Sequence, residues 1–138
     1  MNTDRFKAKA LTVGKNPKWV EGYYGAYKLR WYNDCNWSTG IDHFINLPFE
    51  GMHGINPDTL CQCTGLKDKE GNLIYEGDFL QFHRLTLKVY WDHHGWVFRE
   101  TKECWEKRGG GALGPIWANI EVDLPALTLT GKNIHDPK

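Results

Sequence analysis

The sequence has no excess charge of either sign, no long apolar run and only one serine. The 17 Lys and Arg residues balance the 17 Asp and Glu residues, so the formal net charge is zero with neutral histidines. A nucleic-acid-binding protein usually has a basic excess, which this composition lacks. No apolar stretch approaches the roughly 20 residues that cross a bilayer, and no apolar run follows Met1–Lys9. We therefore expect no membrane segment and no secretory signal.

The cysteines do not form the pattern of a disulfide-stabilised secreted domain. Their number is even, but neither the spacing nor the context of Cys35, Cys61, Cys63 and Cys104 resembles such a framework. We expect free, mostly buried thiols, and hence a protein of a reducing cytoplasm.

Cys61 and Cys63 also raise the alternative of a zinc site. Two residues apart in a strand, their thiols point to one face, and with His53, His93 or His94 they would supply ligands that suit zinc. Zinc-binding pairs, however, usually have two to four residues between the cysteines, and the chain has no second pair. We predict small core side chains here, and neither a metal nor another cofactor.

Catalytic motifs are scarce. The only serine, Ser38, lacks the small neighbours that would present a nucleophile. No Lys-Ser or Lys-Thr pair follows Gly109–Gly111, so these glycines do not form a phosphate-binding loop. His93 and His94 are adjacent in a turn, where neighbouring side chains tend to point apart and to be solvated. We predict no catalytic residues and a protein that is not an enzyme.

Short apolar and aromatic runs, separated by Gly, Pro, Asn and Asp, predict a mainly β protein. In the first half, residues 19–32 and 41–47 read as strands. Gly22 and Gly25 interrupt the former and suggest a bend or bulge. Asn56-Pro57-Asp58 is a turn signal, because proline presets one backbone angle and the flanking side chains can bind nearby amides.

In the second half, residues 60–66 and 73–75 predict a hairpin whose tip contains Gly71, where left-handed backbone angles cost little. The acidic corner Glu76-Gly77-Asp78 follows. We interpret Gly77 and Asp78 as structural, because glycine supplies the turn geometry and aspartate can bind backbone amides.

Further strands follow this corner, and a glycine-rich stretch, Lys107–Gly114, predicts a flexible loop. The predicted strands are the alternating run Leu85–Trp91, a return strand from Trp96 after the four-residue connection 92–95, and short strands at 116–122 and 127–129. Several short strands at close spacing indicate a small barrel or sandwich. A shift in composition near residue 60 divides the chain into parts 1–59 and 60–138.

The segment from Ile55 to Phe82, INPDTLCQCTGLKDKEGNLIYEGDFLQF, carries a specific resemblance. It resembles the signature of the YopX family of phage and prophage proteins. The matching residues are Pro57, Thr59, Gln62, Thr64, Gly65, Leu66, Lys67, Asp68, Lys69, Gly71, Ile74, Tyr75, Glu76, Gly77 and Asp78. Arg5–Ala8, Trp19–Tyr24 and Thr130–Asp136 are similar to flanking parts of the family. Cys61 and Cys63 depart from it, since they stand where a small residue and a tyrosine are expected.

The resemblance implies a protein encoded on mobile genetic elements. Its expected fold has an N-terminal β-rich part, 1–59, and a C-terminal SH3-like small β-barrel, 60–138. The family has no assigned active site and its biochemical role is uncharacterised. The fold therefore transfers to this chain, whereas a function does not.

Aromatic residues are the conspicuous surplus of the sequence, and basic residues accompany them between positions 19 and 37. We predict a binding surface there, formed by Tyr27, Lys28, Arg30, Trp31, Tyr32 and Trp37. Tyrosine and tryptophan are enriched in protein interfaces, aromatics beside basic groups also stack on single-stranded bases, and core packing must absorb some of them.

Three functional hypotheses follow. The leading one is a non-catalytic binding module of a phage or prophage that binds an unknown phage or host protein or a second copy of itself. The alternative is a single-stranded nucleic-acid-binding small barrel with a local basic patch of Lys28, Arg30, Lys88 and Arg99. A zinc-dependent enzyme is the third.

Overall fold

The computed structural model describes residues 4–93, 95–110, 115, 117–118 and 124–137, without the side chains of Arg5 and Leu124. The protein is mainly β, as predicted, and all of its paired strands are antiparallel. Two compact units divide the chain: one is Phe6–Gln62, and the other is the chain from Cys63 on together with its first residues. Within the described residues, no helix has the length and apolarity that a membrane span requires.

The first unit is a sheet with the strand order β4-β3-β2-β1. Its strands are β1 (Ala8–Leu11), β2 (Trp19–Asn33), β3 (Asn36–Leu47) and β4 (Gly51–Gly54). The first two residues of β5 (Cys61–Lys67) pair with β1. The core consists of the buried Ala10, Ile45 and Ile55, against which Val20, Leu47 and Leu60 pack. This core covers only the ends of β2 and β3 that lie beside β1 and β4.

Gly22 and Gly25 do not produce the bend or bulge that we expected. β2 pairs with β3 without a register shift from Tyr23 to Asn33. A Cβ at Gly22 would collide with the main-chain oxygen of Asn46, and a Cβ at Gly25 would lie 2.5 Å from the ring of Phe44. Glycine is required here because groups on β3 approach the backbone closely, and the bulge prediction was wrong.

The second unit contains a hairpin and a five-stranded sheet. The hairpin pairs β5 with β6 (Leu73–Tyr75). The sheet has the order β10-β9-β8-β7-β11. Its strands are β7 (Asp78–Phe82), β8 (Leu85–Asp92), β9 (Gly95–Glu100), β10 (Trp117–Ala118) and β11 (Thr128–Asn133). One face carries the core, whose buried residues are Ile74, Leu80, Leu87, Val89, Phe98 and Leu127.

The two antiparallel sheets do not form a closed barrel. β10 and β11 are the outer strands of the five-stranded sheet, and no pairing joins them in the described part of the chain. The structure therefore supports the mainly β class without the closure that we expected from an SH3-like barrel.

Several elements differ from the sequence prediction. A helix that we did not predict, α1 (Lys102–Lys107), follows β9; Thr101 caps it by accepting a 3.2 Å hydrogen bond from the Cys104 amide. Trp91 is exposed although it alternates with core residues, because it lies near the end of β8. Asp92 pairs with Gly95, so the connection is shorter than four residues. Parts of two other predicted segments, 111–114 and 116 with 119–122, lie outside the described residues.

Candidate binding arm

The distal part of the β2–β3 hairpin, residues 26–42, lies beyond every other strand of its sheet, and we call it the arm. β1 pairs with β2 only through Trp19–Gly22, and β4 pairs with β3 only through Phe44–Leu47. Every residue from Ala26 to Trp37 is exposed. The arm is therefore a two-stranded ribbon with two solvent-facing surfaces and two strand edges that no described strand covers.

A two-residue turn closes the arm. Asn33 pairs with Asn36, and the central residues Asp34 and Cys35 both have positive φ, +47° and +63°. Positive φ at both central positions is the backbone of a type I′ turn, whose twist matches that of the flanking strands. The Asn36 amide also donates a 3.2 Å hydrogen bond to the main-chain oxygen of Asp34. This turn fixes the register of the arm.

One surface of the arm carries Tyr27, Leu29 and Trp31. Residues two apart in a strand share a face, and these three are 41%, 40% and 47% exposed. A Cβ at Gly40 would lie 3.0 Å from the Trp31 ring, so the glycine leaves room for the indole. The Tyr27 hydroxyl donates a 3.2 Å hydrogen bond to Asp42, and this bond raises the pKa of the phenol above its ordinary value.

The opposite surface carries Lys28, Arg30, Tyr32, Trp37 and Ile41. The Arg30 guanidinium lies 4.6 Å from the centre of the Trp37 ring, and the Tyr32 and Trp37 rings are 5.2 Å apart. Tyr32, Trp37 and Ile41 are 58%, 62% and 61% exposed. This surface is aromatic, with one cation held over a ring.

The structure brings all six residues of the predicted binding surface into the arm but divides them between its two surfaces. Tyr27 and Trp31 face one side, whereas Lys28, Arg30, Tyr32 and Trp37 face the other. Over residues 26–42 the two cations, Lys28 and Arg30, balance two carboxylates, Asp34 and Asp42. The arm is therefore aromatic and has no net charge.

The basic patch predicted as an alternative is distributed over both units. Lys28 and Arg30 lie on the arm, whereas Lys88 and Arg99 are directly opposite each other on β8 and β9. The second pair is taken up below.

The proposed zinc ligands make other contacts. Cys61 and Cys63 are buried free thiols; Cys61 donates to the Thr59 oxygen, and Cys63 accepts a hydrogen bond from the Gly65 amide. His53 lies 3.7 Å from Glu50. No cluster of three or more metal-ligating side chains occurs among the described residues, which do not include His94. Of the other thiols, Cys104 is half-buried, whereas Cys35 is exposed at the turn of the arm, against our expectation for most thiols.

The structure places Gly71, Gly77 and Asp78 at tight corners of the second unit. Gly71 and Gly77 have φ values of +87° and +82°. Asp78 is buried, and its carboxylate accepts hydrogen bonds from the Tyr75 amide at 2.8 Å and from the Asn133 side chain at 2.9 Å. A buried carboxylate that holds two chain segments together has its acceptor capacity occupied by the fold.

The family comparison bears on both units. A family model described as YopX protein matches residues 13–123, which is more than half of the chain. The chain belongs to the YopX family. The matched region includes the arm and the Thr64–Asp78 segment, but it excludes Arg5–Ala8 and Thr130–Asp136, for which we also expected similarity. Searches of curated proteins and of solved structures gave no match to this YopX-family chain.

Proposed function

We propose that this YopX-family protein is a non-catalytic binding module of a phage or prophage, that it acts in the cytoplasm of the bacterial host, and that the arm is its binding element. The observation that carries the proposal is the exposure of large aromatic side chains on both surfaces of the arm. A two-stranded hairpin is marginally stable in water by itself. A partner that covers the arm therefore stabilises the ribbon and buries the aromatic side chains at the same time.

The charge of the arm favours a protein partner over nucleic acid. Two cations and two carboxylates cancel over residues 26–42, and Arg30 already lies over the Trp37 ring. Binding of phosphates needs uncompensated cations. Aromatic side chains with a low net charge are typical of the centre of a protein interface.

We propose a second copy of this chain as the partner. The outer edge of β2 has no neighbour from Tyr23 to Asn33 among the strands that the structure describes, and an open edge accepts an antiparallel strand. If two such edges pair about Trp31, Lys28 of one copy lies towards Asp34 of the other, and Arg30 lies opposite Tyr32. Opposite charges and a cation beside an aromatic ring then meet across the interface, so the arm is complementary to itself.

The test is the oligomeric state of purified protein, measured by sedimentation equilibrium between about 1 and 100 μM. We expect a dimer for the wild type. Trp31→Ser should weaken dimerisation by about 30-fold or more, because a central tryptophan contributes about 2 kcal/mol or more to an interface. Trp91→Ser removes an equally exposed indole of the second unit, 54% against 47%, and should leave dimerisation unchanged.

A charge exchange tests the pairing itself. Lys28→Asp and Asp34→Lys should each weaken the dimer, and the double variant should recover most of the loss, since the favourable pair is restored with reversed polarity. A wild-type monomer at 100 μM would overturn the proposal of self-association. A dimer that Trp31→Ser does not weaken would instead show that the arm is not the interface.

We also propose that the second unit is related to SH3-like barrels, as the family resemblance implies. The strands β7, β8, β9 and β10 are consecutive antiparallel neighbours, and β11 returns to pair with β7. A crystal structure that pairs β10 or its flanking residues with the hairpin strands would support this relation, whereas an open sheet throughout would exclude it.

A further inference from the structure

A groove lies on the face of the five-stranded sheet that is turned away from its core, next to α1. Its volume is about 920 Å³, within the usual range of roughly 300–1,000 Å³ for ligand sites. Lys88 is directly opposite both Phe79 and Arg99 in the sheet register, so all three side chains share this face. Tyr90 and Trp105 also line the groove. The whole groove is formed by the second unit and is separate from the arm.

Two cations in this groove lack a carboxylate partner. Lys88 and Arg99 are cross-strand neighbours, and like charges directly opposite each other are destabilising. No carboxylate oxygen of the described residues lies within the 4.0 Å ion-pair distance of either. Glu100 is adjacent, but it is buried and holds Arg108 through two 2.7 Å hydrogen bonds. An anion between Lys88 and Arg99 would remove their repulsion.

Other charged groups at the groove do not supply that anion. Lys102 adds a third cation and Glu103 adds one carboxylate to the lining. Lys102 pairs at 3.9 Å with Glu106 on the exposed side of α1. The lining residues therefore carry more positive than available negative charge, in a protein whose total charge is zero.

Aromatic rings accompany the two cations. The Lys88 ammonium lies 5.7 Å from the centre of the Tyr90 ring, and the Arg99 guanidinium lies 4.9 Å from that of Trp117. The Tyr90 and Trp117 rings are 6.3 Å apart, and Trp117 is half-exposed. Cations interleaved with accessible rings are the arrangement by which proteins bind the backbone and the bases of single strands.

The groove also holds unused hydrogen-bond donors. Arg99 Nε and Trp105 Nε1 are buried, and neither has an acceptor among the residues that the structure describes. Both groups only donate. A ligand rich in acceptor oxygens, such as a phosphodiester, would satisfy donors that the fold leaves unpaired once the side chains adjust.

We propose that this groove binds single-stranded nucleic acid, with Lys88 and Arg99 contacting phosphates and Tyr90 and Trp117 stacking on bases. The site is independent of the arm and adds a second binding activity to the proposed interaction module. Its position also explains how a protein with no net charge can bind a polyanion, because the cations are concentrated on one sheet face.

The experiment is a fluorescence-anisotropy titration of a dye-labelled 15-nucleotide oligothymidine with the full-length protein at several salt concentrations. We expect binding that weakens steeply with salt. The variant Lys88→Gln/Arg99→Gln should lower the affinity at least tenfold and reduce the slope of log affinity against log salt by about 2, one for each lost phosphate contact. Trp117→Leu should weaken binding by about 5- to 150-fold with little change in that slope.

The matched control is Lys28→Gln/Arg30→Gln, which removes the same charge from the arm. We expect this variant to bind the oligonucleotide as the wild type does. Equal losses in the two double variants would overturn the assignment to the groove. Absence of binding at 100 μM protein and 50 mM salt, or equally effective competition by polyglutamate, would overturn single-stranded nucleic acid as the ligand; the second outcome would identify an acidic peptide instead.

Discussion

Asp68 is the residue whose replacement tests the second unit most directly. It is buried, and its carboxylate accepts hydrogen bonds from three backbone amides: those of Glu70 at 3.0 Å, Asn72 at 2.9 Å and Leu129 at 3.0 Å. The first two bonds close the tip of the β5–β6 hairpin. The third ties this tip to the start of β11, 61 residues later in the chain.

The change Asp68→Asn keeps the shape of the side chain but removes its charge and one acceptor oxygen. An asparagine oxygen can retain the bonds to Glu70 and Asn72, whereas its NH₂ group would then face the Leu129 amide, donor against donor. A hydrogen bond to a charged group contributes about 1.5–3 kcal/mol. We therefore expect the free energy of unfolding to fall by about 2–4 kcal/mol, with Leu129 losing most of its protection.

The pH dependence gives an independent measure. Burial alone would raise the pKa of Asp68, but the hydrogen bonds from Leu129, Asn72 and Glu70 together lower it below the usual value. Because the folded-state pKa is lowered, the carboxylate stabilises the protein above the unfolded-state pKa of about 3.9, and this contribution is lost as the pH falls through the folded-state value. The difference between wild type and Asp68→Asn should thus be constant near neutral pH and shrink below about pH 4.

Urea denaturation followed by tryptophan fluorescence measures the free energy, and amide hydrogen exchange reports on the three amides individually. Asp58→Asn is the control, because it makes the same change at an exposed carboxylate. A loss below about 0.5 kcal/mol for Asp68→Asn, which is the usual range of a surface substitution, would refute the reasoning. So would Leu129 protection that the substitution leaves unchanged.

Two further substitutions test local geometry. Gly77→Ala should destabilise by roughly 2–4 kcal/mol, because φ is +82° and the new Cβ would lie 2.8 Å from Ile134; Gly71→Ala, at φ +87° with open space around it, should cost only about 1 kcal/mol in thermal or urea denaturation. Equal costs at the two positions would contradict the steric argument. Thr101→Ala should cost about 1 kcal/mol by removing the cap of α1, while Thr101→Ser should retain the stability; an unchanged melting temperature for the alanine variant would show that this cap is dispensable.

The sequence predicted strands best where apolar residues alternate over a buried face. Leu87 and Val89 have this period, and both are buried in β8. Alternation does not show where burial stops, so the exposure of Trp91 was missed. Helix α1 was missed because its six residues are too few to establish a helical period, and its signal is the single cap Thr101.

The two candidate surfaces depend on register, which composition does not reveal. The aromatic and basic residues between 27 and 37 were recognised, but their division between two surfaces follows from the two-residue turn at Asp34 and Cys35. The groove was recognised only through Lys88 and Arg99. Trp105 joins them because α1 follows β9 directly, an arrangement that no local pattern predicted.

The residues that identify the family serve the fold, and this argues that the functional surfaces lie elsewhere. The Thr64 hydroxyl donates to the Ile74 oxygen at 2.8 Å and accepts from the Leu66 amide at 3.0 Å. Asp68 and Asp78 likewise bind amide donors within the unit. Polar atoms that are satisfied internally have little capacity left for a ligand. The arm and the groove have the opposite character, since their aromatic rings are exposed and Lys88 and Arg99 have no acidic partner among the described residues. Binding experiments should therefore target these two surfaces, while substitutions in Thr64–Asp78 report on stability.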